Sequence, residues 1–462
     1  MGKGNKKYFL FFGDIVIFYF SLWLTLIIRY QNDYRPELWF KHLLPFTLVF
    51  IFWLIILYIN DFYDLRFSHN RIEVLNRLIK SMAVNASLAI IFFYLSQGRL
   101  FDIKPQRILL IDLIISSLLI YFWHRTFSFL TKSLKIDNGL IFIGFNNLVE
   151  EIIKELQNKP DLNFNIKGII KVDQQINLPQ NLKNLEINEP ESINQLKEIC
   201  LRTKAKSIVS TIHPRQNPAL TKALFACLPL KINFFDLASF YEKITGKIPV
   251  ATIEQIWFLE NLSEGSKKFY EVLKRFFDLV FSLVFLIFSL PIIPLIALLI
   301  KLDSPGAVFF RQIRTGKEGN PFWAIKFRTM VDKAETNGPQ WATKNDPRVT
   351  RLGRFLRKTR IDEIPQLLNV LRGEMSLIGP RPERPEFVEQ LQNEIPFYKE
   401  RLLIKPGLTG WAQVVGPNYG GSISESLEKL QFDLFYIKNR SLTLDLSILL
   451  KTIKTVLSRS GQ

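Results

Sequence analysis

The chain has 462 residues, of which 48% are hydrophobic and 13% aromatic, and its formal net charge is +18. So many apolar side chains point to membrane segments, and the length allows about three domains. The positive charge suits anionic lipids or phosphorylated substrates, whereas no helix-turn-helix or RNA-binding signature supports a nucleic-acid partner.

Four apolar runs in residues 1–135 predict a bundle of transmembrane helices: residues 8–30, 43–60, 80–97 and 107–124. The first run is long enough to cross a hydrocarbon core of about 30 Å. Basic residues cluster before the first run, between the second and third, and after the fourth. The positive-inside rule places these segments in the cytoplasm, so the rest of the chain is predicted to be cytoplasmic.

Two acids, Asp14 and Asp112, lie within the first and fourth apolar runs. An acid inside a membrane is a candidate functional residue. Each of these stands near the end of its run, however, where it can face other helices or the headgroups. We therefore favour a structural interpretation of both.

Residues 136–245 are predicted to form a Rossmann-like α/β domain. Short apolar strands alternate with amphipathic helices from LIFIGF to KINFFD, which is typical of βαβ units and a parallel sheet. A dinucleotide site would need a glycine-rich turn after the first strand, and that turn contains only Gly144. We therefore favour a structural or regulatory role over nucleotide binding. Residues 246–268 are predicted to be a linker.

A second long apolar segment, residues 274–302, is interrupted by Pro291 and Pro294. Proline removes a backbone donor and clashes with the preceding turn, so a bend is expected there. Basic residues flank both ends of the segment. This favours a re-entrant helical hairpin over a kinked fifth span, which would place the C-terminal domain outside.

The C-terminal domain, residues 269–462, combines strands, helices and stiff loops. Residues 303–330 predict two strands joined by a turn at TGKEGN, and residues 346–358 predict a basic amphipathic helix. The loops IGPRPERPEF and KPGLTGWAQVVGPNYGG follow, the second of them containing Trp411. Residues 427–440 predict a helix. The final stretch is amphipathic and is predicted to lie in the plane of the membrane interface.

Adjacent carboxylates, Asp362 and Glu363, stand between the basic helix and the first loop. Neighbouring residues on a helix point about 100° apart, so two acids that serve one substrate fit a helix start better than its middle. Pro365 is compatible with a first helical turn and offers no amide for Asp362 to cap. That would leave Asp362 free to act on a substrate. The alternative is an ordinary acidic helix start.

Cations surround this pair in the sequence, and guanidinium groups bind phosphate oxygens in a bidentate manner. They are Arg357, Arg360, Arg372 and Arg381, with Lys326 and Arg328 on the second predicted strand. Carboxylate and phosphate oxygens could hold Mg²⁺, and a carboxylate can attack phosphorus to form an acyl phosphate. The residues therefore favour phosphoryl-type transfer between a soluble phosphorylated donor and a lipid phosphate.

The motifs SPG, VFFRQ, KFRTM, FLRKTR, GEMSLIGPRP and KPGLTGWAQV follow one another within residues 274–457. In this order they resemble the bacterial polyprenyl-phosphate phosphoglycosyl transferases of the monotopic type. The four-span start and the α/β domain look like the large members, which begin exopolysaccharide, capsule or O-antigen synthesis. The resemblance implies transfer of a sugar 1-phosphate from UDP-glucose or UDP-galactose to undecaprenyl phosphate, with release of UMP. It also implies a multi-pass protein of the bacterial inner membrane, with a cytoplasmic catalytic face and pairing into homodimers.

The same resemblance implies roles for particular residues. Asp362 would be the nucleophile that carries the phosphosugar, and Glu363 would assist, both as ligands of Mg²⁺. The phosphate-binding residues would be Arg357, Arg381, Lys326, Arg328 and Arg360. The hairpin would be anchored and shaped by Lys274, Arg275, Asp278, Ser289 and Pro291. The family's usual WAQVNGR is WAQVVGPN here, so Val415 and Pro417 leave the donor-sugar contacts of this loop undefined.

Two other functions are compatible with parts of the sequence. The α/β domain could belong to a sugar-nucleotide epimerase or dehydratase, which would bind NAD tightly. Its poor glycine pattern argues against this. Alternatively, the protein could be a non-enzymatic component of polysaccharide export, which would release no UMP.

Overall fold

The computed structural model describes residues 3–60, 62–63, 71–96, 101, 106–133, 138–159, 162, 164–172, 178–187, 193–262, 267–332, 334, 346–416 and 422–457. The chain divides into two compact units. The first comprises residues 1–140 and 156–167, and the second comprises residues 141–155 and 168–462.

Among its described residues, the first unit contains four long helices. They are α1 (Lys3–Tyr30), α2 (Pro36–Ile59), α3 (Arg71–Ser96) and α4 (Gln106–Ser133). Each is long and apolar enough to cross a membrane, which confirms the four predicted runs. Aromatic side chains fill the core between them, with Phe18 and Trp53 fully buried and their ring centroids 5.5 Å apart.

The two acids of this bundle face neighbouring helices. The carboxylate of Asp14 on α1 lies 3.2 Å from Nε2 of His124 on α4. Asp112 on α4 accepts a 2.6 Å hydrogen bond from Oγ of Ser21 on α1. Both carboxylates are fully buried. Polar contacts between apolar helices favour one helix register, which agrees with the structural interpretation of both acids.

Replacing Ser21 with alanine should destabilise the bundle by about 1 kcal/mol, because it removes a donor from the buried Asp112 carboxylate. Unfolding of the membrane-inserted protein would measure the loss. Ser87→Ala is the matched control, since Ser87 is exposed on α3 and bonds only within its own helix. Equal effects of the two substitutions would contradict a role for the Ser21–Asp112 bond.

The α/β region that follows α4 along the chain contains five strands among its described residues. The strands are β1 (Asn138–Ile143), β2 (Phe164–Ile170), β3 (Glu186–Ile187), β4 (Ala205–Ser210) and β5 (Asn233–Asp236). They form one sheet in the order β3-β2-β1-β4-β5, with β2/β3 and β4/β5 paired in parallel, which confirms the predicted parallel sheet. The helices are α5 (Asn147–Asn158), α6 (Leu196–Thr203), α7 (Pro218–Ala226) and α8 (Leu237–Thr245).

Gly144, the single glycine of the turn after β1, has a φ of +88°. A Cβ at this position would lie 1.9 Å from Oγ1 of Thr211, which follows β4. Glycine is required here for the close approach of two protein segments, so the position has a sufficient structural explanation.

Residues 246–268, predicted to be a linker, contain helix α9 (Gln255–Asn261). The side chains of Ile248, Val250 and Ile253 are buried in one apolar cluster with side chains of the C-terminal helices. At least this part of the segment therefore belongs to the C-terminal core, because burial of three apolar side chains fixes it there.

The proline-broken apolar segment forms helices α10 (Lys268–Ser289) and α11 (Ile293–Asp303), which meet at an angle of 62°. Pro291 lies in the three-residue break, and Pro294 lies in the first turn of α11, where its missing amide has no intrahelical acceptor. The predicted bend at these prolines is confirmed.

The C-terminal region begins with an antiparallel pair, β6 (Phe309–Thr315) and β7 (Pro321–Phe327), which confirms the two predicted strands. A short parallel pair, β8 (Ser376–Ile378) and β9 (Gly407–Thr409), follows. The helices are α12 (Arg351–Lys358), α13 (Leu367–Arg372), α14 (Pro385–Glu394), α15 (Trp411–Val415), α16 (Ile423–Asn439) and α17 (Leu442–Leu457).

Two predicted helices differ from their predicted form. The basic helix predicted over 346–358 begins only at Arg351, because Oγ1 of Thr350 caps it by accepting a 2.9 Å bond from the amide of Gly353. On α17, Leu446 is exposed as predicted for an interfacial face, whereas Ile448 is fully buried in the core. The helix therefore packs on the domain as well as presenting an apolar face. Pro417 lies outside the described residues.

Candidate active site

Asp362 and Glu363 lie in the first turn of a 3₁₀-helix, Ile361–Gln366, that leads into α13. The predicted helix start is thus confirmed, and Pro365 lies within the same short helix. Arg360 precedes it with a left-handed φ of +57°. Such a conformation costs a non-glycine residue about 1 kcal/mol, and it turns the chain sharply between α12 and the acidic pair. Both carboxylates are almost wholly buried.

Three cations surround the Glu363 carboxylate. Nζ of Lys326 and Nη2 of Arg381 each donate to Oε1 at 2.9 Å, and Nη1 of Arg360 lies 3.5 Å from Oε2. Burial acts to raise the pKa of Glu363, but the charges of Arg381, Lys326 and Arg360 hold this pKa well below its usual range. Glu363 is therefore a permanent anion that holds three cations together.

Asp362 has a different environment. Burial and the negative charge of Glu363 raise the pKa of Asp362 to about 6, against the opposing charges of Lys326, Arg357 and Arg381. Within the described part of the chain, no side chain or amide donates a hydrogen bond to its carboxylate. Its oxygens thus retain their lone pairs, and the group is ionised near neutral pH. This is the state that a nucleophilic carboxylate requires.

The positions of the cations distinguish those that can meet a ligand from those that cannot. The side chains of Arg381, Arg360 and Lys326 are 40%, 29% and 22% exposed, so each keeps an open side next to Glu363. Arg357, in the last turn of α12, donates from Nε to Oγ1 of Thr329 at 2.9 Å. Burial lowers the pKa of Arg357, opposed by Asp362, which places this guanidinium within electrostatic reach of the nucleophile candidate.

Arg328, another predicted phosphate-binding residue, is buried and contacts main-chain carbonyls. Nη2 of Arg328 donates to the carbonyl of Ser304 at 2.7 Å, and Nη1 donates to that of Pro305. The guanidinium therefore satisfies carbonyls at the C-terminal end of α11, where a cation also complements the helix dipole. Arg372, also predicted to surround the pair, ends α13 and is not among the charges that act most strongly on either carboxylate.

The predicted hairpin residues fasten α10 to the C-terminal region. Nζ of Lys274 binds Oδ2 of Asp445 on α17 at 2.8 Å. The guanidinium of Arg275 donates to the last carbonyls of α13, those of Val370 and Leu371, at 2.6 and 2.9 Å.

Two further hairpin positions have equally defined contacts. Asp278 accepts from the amide of Leu377 on β8 at 3.1 Å. Ser289 is buried at the end of α10 and bonds to the carbonyl of Leu286 within its own helix. The Asp278 contact connects α10 to the domain that carries Asp362. The Ser289 bond lies in the last turn of α10, next to Pro291.

Two buried acids of the region, Asp433 and Asp445, were not among the residues predicted from the sequence. Asp445 accepts from Lys274 and from the hydroxyls of Tyr270 and Tyr436. Asp433 pairs with Arg401 at 2.8 Å. A signal for Asp445 existed, since it lies on the side of α17 that carries the buried Ile448, where an unpaired acid would be costly.

An apolar cavity of about 410 Å³ lies beside the acidic pair. Arg360 and Glu363 contribute to its wall, as do residues at the end of α10. Its lining residues are Phe285, Phe288, Ser289, Ile292, Arg360, Glu363, Ile364, Leu367, Leu377, Leu408, Thr409, Gln413, Val414, Leu449, Thr452, Thr455 and Val456. The cavity therefore joins a charged group to a surface suited to a hydrocarbon chain.

A divalent cation would find one available carboxylate here. No group of three or more His, Cys, Asp or Glu side chains suited to a metal occurs among the described residues. The oxygens of Glu363, the second predicted ligand, contact three cations, and its role as a metal ligand stays a prediction. Asp362 alone keeps free oxygens. Mg²⁺ commonly uses one or two carboxylates together with substrate phosphates and water, so this donor set fits it through Asp362.

Comparison with protein families gives a match over residues 269–459 to the family described as Bacterial sugar transferase. This range contains the acidic pair, all its cations, the cavity and helices α11 to α17. The match accordingly concerns the part of the chain in which the candidate site lies.

Individual relatives extend this likeness. The chain is 41% identical over 238 residues to a UDP-N-acetylgalactosamine-undecaprenyl-phosphate N-acetylgalactosaminephosphotransferase of Aeromonas hydrophila. The aligned region covers 52% of this chain and 55% of that protein. Two UDP-glucose:undecaprenyl-phosphate glucose-1-phosphate transferases are also similar. The Escherichia coli protein is 33% identical over 65% of this chain and 64% of its own length. The Caulobacter vibrioides protein is 44% identical over 40% of this chain and 70% of its own length.

Proposed function

This chain belongs to the bacterial sugar transferase family, and we propose that it transfers a sugar 1-phosphate from a UDP-sugar to undecaprenyl phosphate, releasing UMP. The observation that carries the proposal is the free, ionisable Asp362 carboxylate, set beside a cation cluster at the edge of an apolar cavity. The relatives named above act on glucose or N-acetylgalactosamine donors, and a galactose transferase of Erwinia amylovora is also similar. UDP-glucose and UDP-galactose are the donors we propose first.

The reaction would proceed in two displacements at one phosphorus atom. A carboxylate oxygen of Asp362 attacks the phosphorus that bears the sugar, and the bond from that phosphorus to the bridging oxygen of the diphosphate breaks. UMP leaves with the electron pair, and the phosphosugar remains on Asp362 as an acyl phosphate. An oxygen of undecaprenyl phosphate then attacks the same phosphorus and displaces the carboxylate. Neither step requires a proton from the enzyme.

The cations would supply the charge stabilisation that phosphoryl transfer depends on. Arg381, Lys326 and Arg360 are held by Glu363 with one side open, so they can bind donor phosphate oxygens without reorganising. Arg357 would act on the same phosphates from the other side of Asp362. A Mg²⁺ ion held by Asp362 and the diphosphate would neutralise further negative charge.

The membrane segments would bring the two substrates together. We propose that α10 and α11 form a re-entrant hairpin, because basic residues flank both ends and the helices bend by 62° at the break. The catalytic region would then lie on the cytoplasmic face of the bacterial inner membrane. Lys274, Arg275 and Asp278 would hold the hairpin to it. We further propose that the protein pairs as a homodimer, which a mass measurement in detergent would test.

The apolar cavity is proposed to hold the first isoprene units of the acceptor lipid, because its charged wall contains two residues of the acidic site. The lipid phosphate would then lie near Arg360, beside the phosphosugar on Asp362. Its hydrocarbon chain would leave past the end of α10, toward the bilayer.

Filling this cavity should weaken acceptor use alone. Leu449→Trp places a larger side chain against the lining, and we expect the KM for undecaprenyl phosphate to rise about tenfold. Formation of the phosphosugar adduct from the donor should be unchanged. Leu446→Trp is the matched control, since Leu446 is on the same helix and 56% exposed. Loss of adduct formation in Leu449→Trp, with acceptor KM unchanged, would argue against an acceptor cavity.

UMP release from a panel of UDP-sugars, with and without undecaprenyl phosphate, tests the proposed function most directly. Mass spectrometry after donor alone should reveal a phosphosugar on Asp362. A transfer reaction without any adduct would support direct displacement instead. Tightly bound NAD would point to the epimerase or dehydratase alternative, and the absence of UMP release from every donor would favour a non-enzymatic export component.

A further inference from the structure

The segment 380–383, which carries Arg381, lacks regular secondary structure. Nevertheless, each of its four carbonyl groups accepts a hydrogen bond. The carbonyl of Pro380 accepts from the amide of Gly407 at 2.8 Å, and that of Glu383 from the amide of Thr315 at 2.9 Å. The carbonyls of Arg381 and Pro382 accept from two guanidinium groups, those of Arg401 at 3.0 Å and Arg314 at 3.2 Å. This loop is therefore fixed at every residue.

Arg401 is itself held from three sides. Its Nε and Nη2 donate to Oδ2 of Asp433 at 3.1 and 2.8 Å, and its Nη1 donates to the hydroxyl of Tyr398 at 2.6 Å. All three side chains are at most 5% exposed. A guanidinium enclosed in this way cannot meet a substrate. Its Nη2 also donates to the main chain of the loop that carries Arg381.

A buried ion pair is not in itself a source of stability. Removing two charges from water is costly, and apolar replacements of similar volume are often neutral or stabilising. What an apolar pair cannot provide is a donor for the Arg381 carbonyl. The specific consequence of the Arg401–Asp433 pair is thus the placement of one residue of the cation cluster.

We propose that Arg401, held by Asp433 and Tyr398, is a positioning residue that fixes the main chain of Arg381 and so keeps the Arg381 guanidinium beside Glu363 and Asp362. An arginine side chain loses rotamer entropy on binding, and a fixed main chain reduces the space it can explore. Pro380 and Pro382 restrict the loop further, because their φ angles are fixed. The role of Arg381 in binding donor phosphate rests on the proposed function.

Displacing Arg381 would affect the two substrates differently, because the proposed role of Arg381 is to bind donor phosphate. The kcat/KM for the UDP-sugar should fall, whereas the kcat/KM for undecaprenyl phosphate should stay the same. A purely structural ion pair would not separate the two substrates in this way.

The double variant Arg401→Met with Asp433→Leu tests the proposal, because it replaces the pair by apolar groups of similar size. In lipid nanodiscs we expect it to unfold near the temperature of the unchanged protein, but with faster hydrogen exchange in residues 377–386. We expect kcat/KM for the UDP-sugar to fall about a hundredfold, as for other small misplacements of catalytic groups, and kcat/KM for undecaprenyl phosphate to stay unchanged. Glu386→Gln, on the exposed face of α14 just beyond the loop, should change none of these quantities.

Unchanged exchange and activity in the double variant would overturn the proposal and leave the ion pair a purely structural role. If the double variant fails to fold, Arg401→Lys replaces it in the same comparison. Its single ammonium keeps the charge opposite Asp433 but cannot also reach Tyr398 and the Arg381 carbonyl. If the unchanged protein releases no UMP, the proposed function fails, whereas the exchange comparison still decides the role of Arg401.

Discussion

Replacing Asp362 with asparagine should lower UMP release by at least about a thousandfold, because a carboxamide cannot attack phosphorus as a carboxylate does. The phosphosugar adduct should disappear from the mass spectrum. The thermal unfolding midpoint should stay the same or rise. The direction of this change in the midpoint follows from the raised pKa of Asp362. The raised pKa means that the ionised carboxylate is disfavoured in the folded protein, and asparagine carries no charge.

Asp303→Asn is the control for this substitution, since it neutralises an exposed acid at the end of α11. It should release UMP at the unchanged rate. Full activity of Asp362→Asn would refute the assignment of Asp362 as nucleophile. A variant that lacks activity but still forms the adduct would place the nucleophile elsewhere.

Glu363→Gln should lower kcat/KM about a hundredfold and also shift the pH dependence. Three cations lose the anion that holds them, and the loss of one preorganised electrostatic group typically costs about this much. In the unchanged protein, activity should fall as the pH drops through about 6, where Asp362 becomes protonated. The negative charge of Glu363 raises this pKa, so its removal should move the acid limb to lower pH.

The pH–rate profile of kcat/KM for the UDP-sugar measures both effects in one experiment. Glu389→Gln, an exposed position on α14, serves as the control and should keep both the rate and the limb. An acid limb that stays in place or moves upward in Glu363→Gln would contradict the proposed coupling of the two carboxylates.

The sequence predicted those features that local chemistry determines. Pro291 and Pro294 interrupt an apolar helix, and the helix bends there. The alternating apolar runs form strands, and the TGKEGN turn joins two of them. Asp362 and Glu363 occupy a first helical turn, as the position of Pro365 allowed. Each of these depends on residues close together in the chain, so composition and spacing were sufficient.

Features that depend on distant partners could not be predicted in this way. Lys326 and Arg328 are two residues apart on and beside the same strand, yet the first reaches Glu363 and the second caps α11. Periodicity places both on the same side of a strand and does not show which carbonyls lie nearby. Arg401 and Asp433 are separated by 32 residues, and in the sequence both have the appearance of solvated charges.

Thr350 is a different case, because the sequence did contain the residue that caps the helix. The longer amphipathic pattern around it nevertheless predicted an earlier helix start. Basic and apolar residues recur through 346–358 at helical spacing, which predicted one continuous helix. The side chain of Thr350 accepts a hydrogen bond from the Gly353 amide in the first turn of α12. Before it, residues 347–348 form a turn and Val349 forms a β-bridge with Met330. The capping residue within the amphipathic pattern therefore marks where helix α12 begins.

The contacts of Lys274, Arg275 and Asp278 have a consequence for the geometry of the reaction at the bilayer. Arg275 binds the end of α13, and α13 directly follows the short helix that contains Asp362. With α10 fixed in this way, the depth of the proposed hairpin in the lipid would set the height of the Asp362 carboxylate above the headgroups. The bilayer itself would determine the level of the proposed acceptor's phosphate. The three contacts would then match the level of the proposed nucleophile to that of the lipid phosphate without a domain movement.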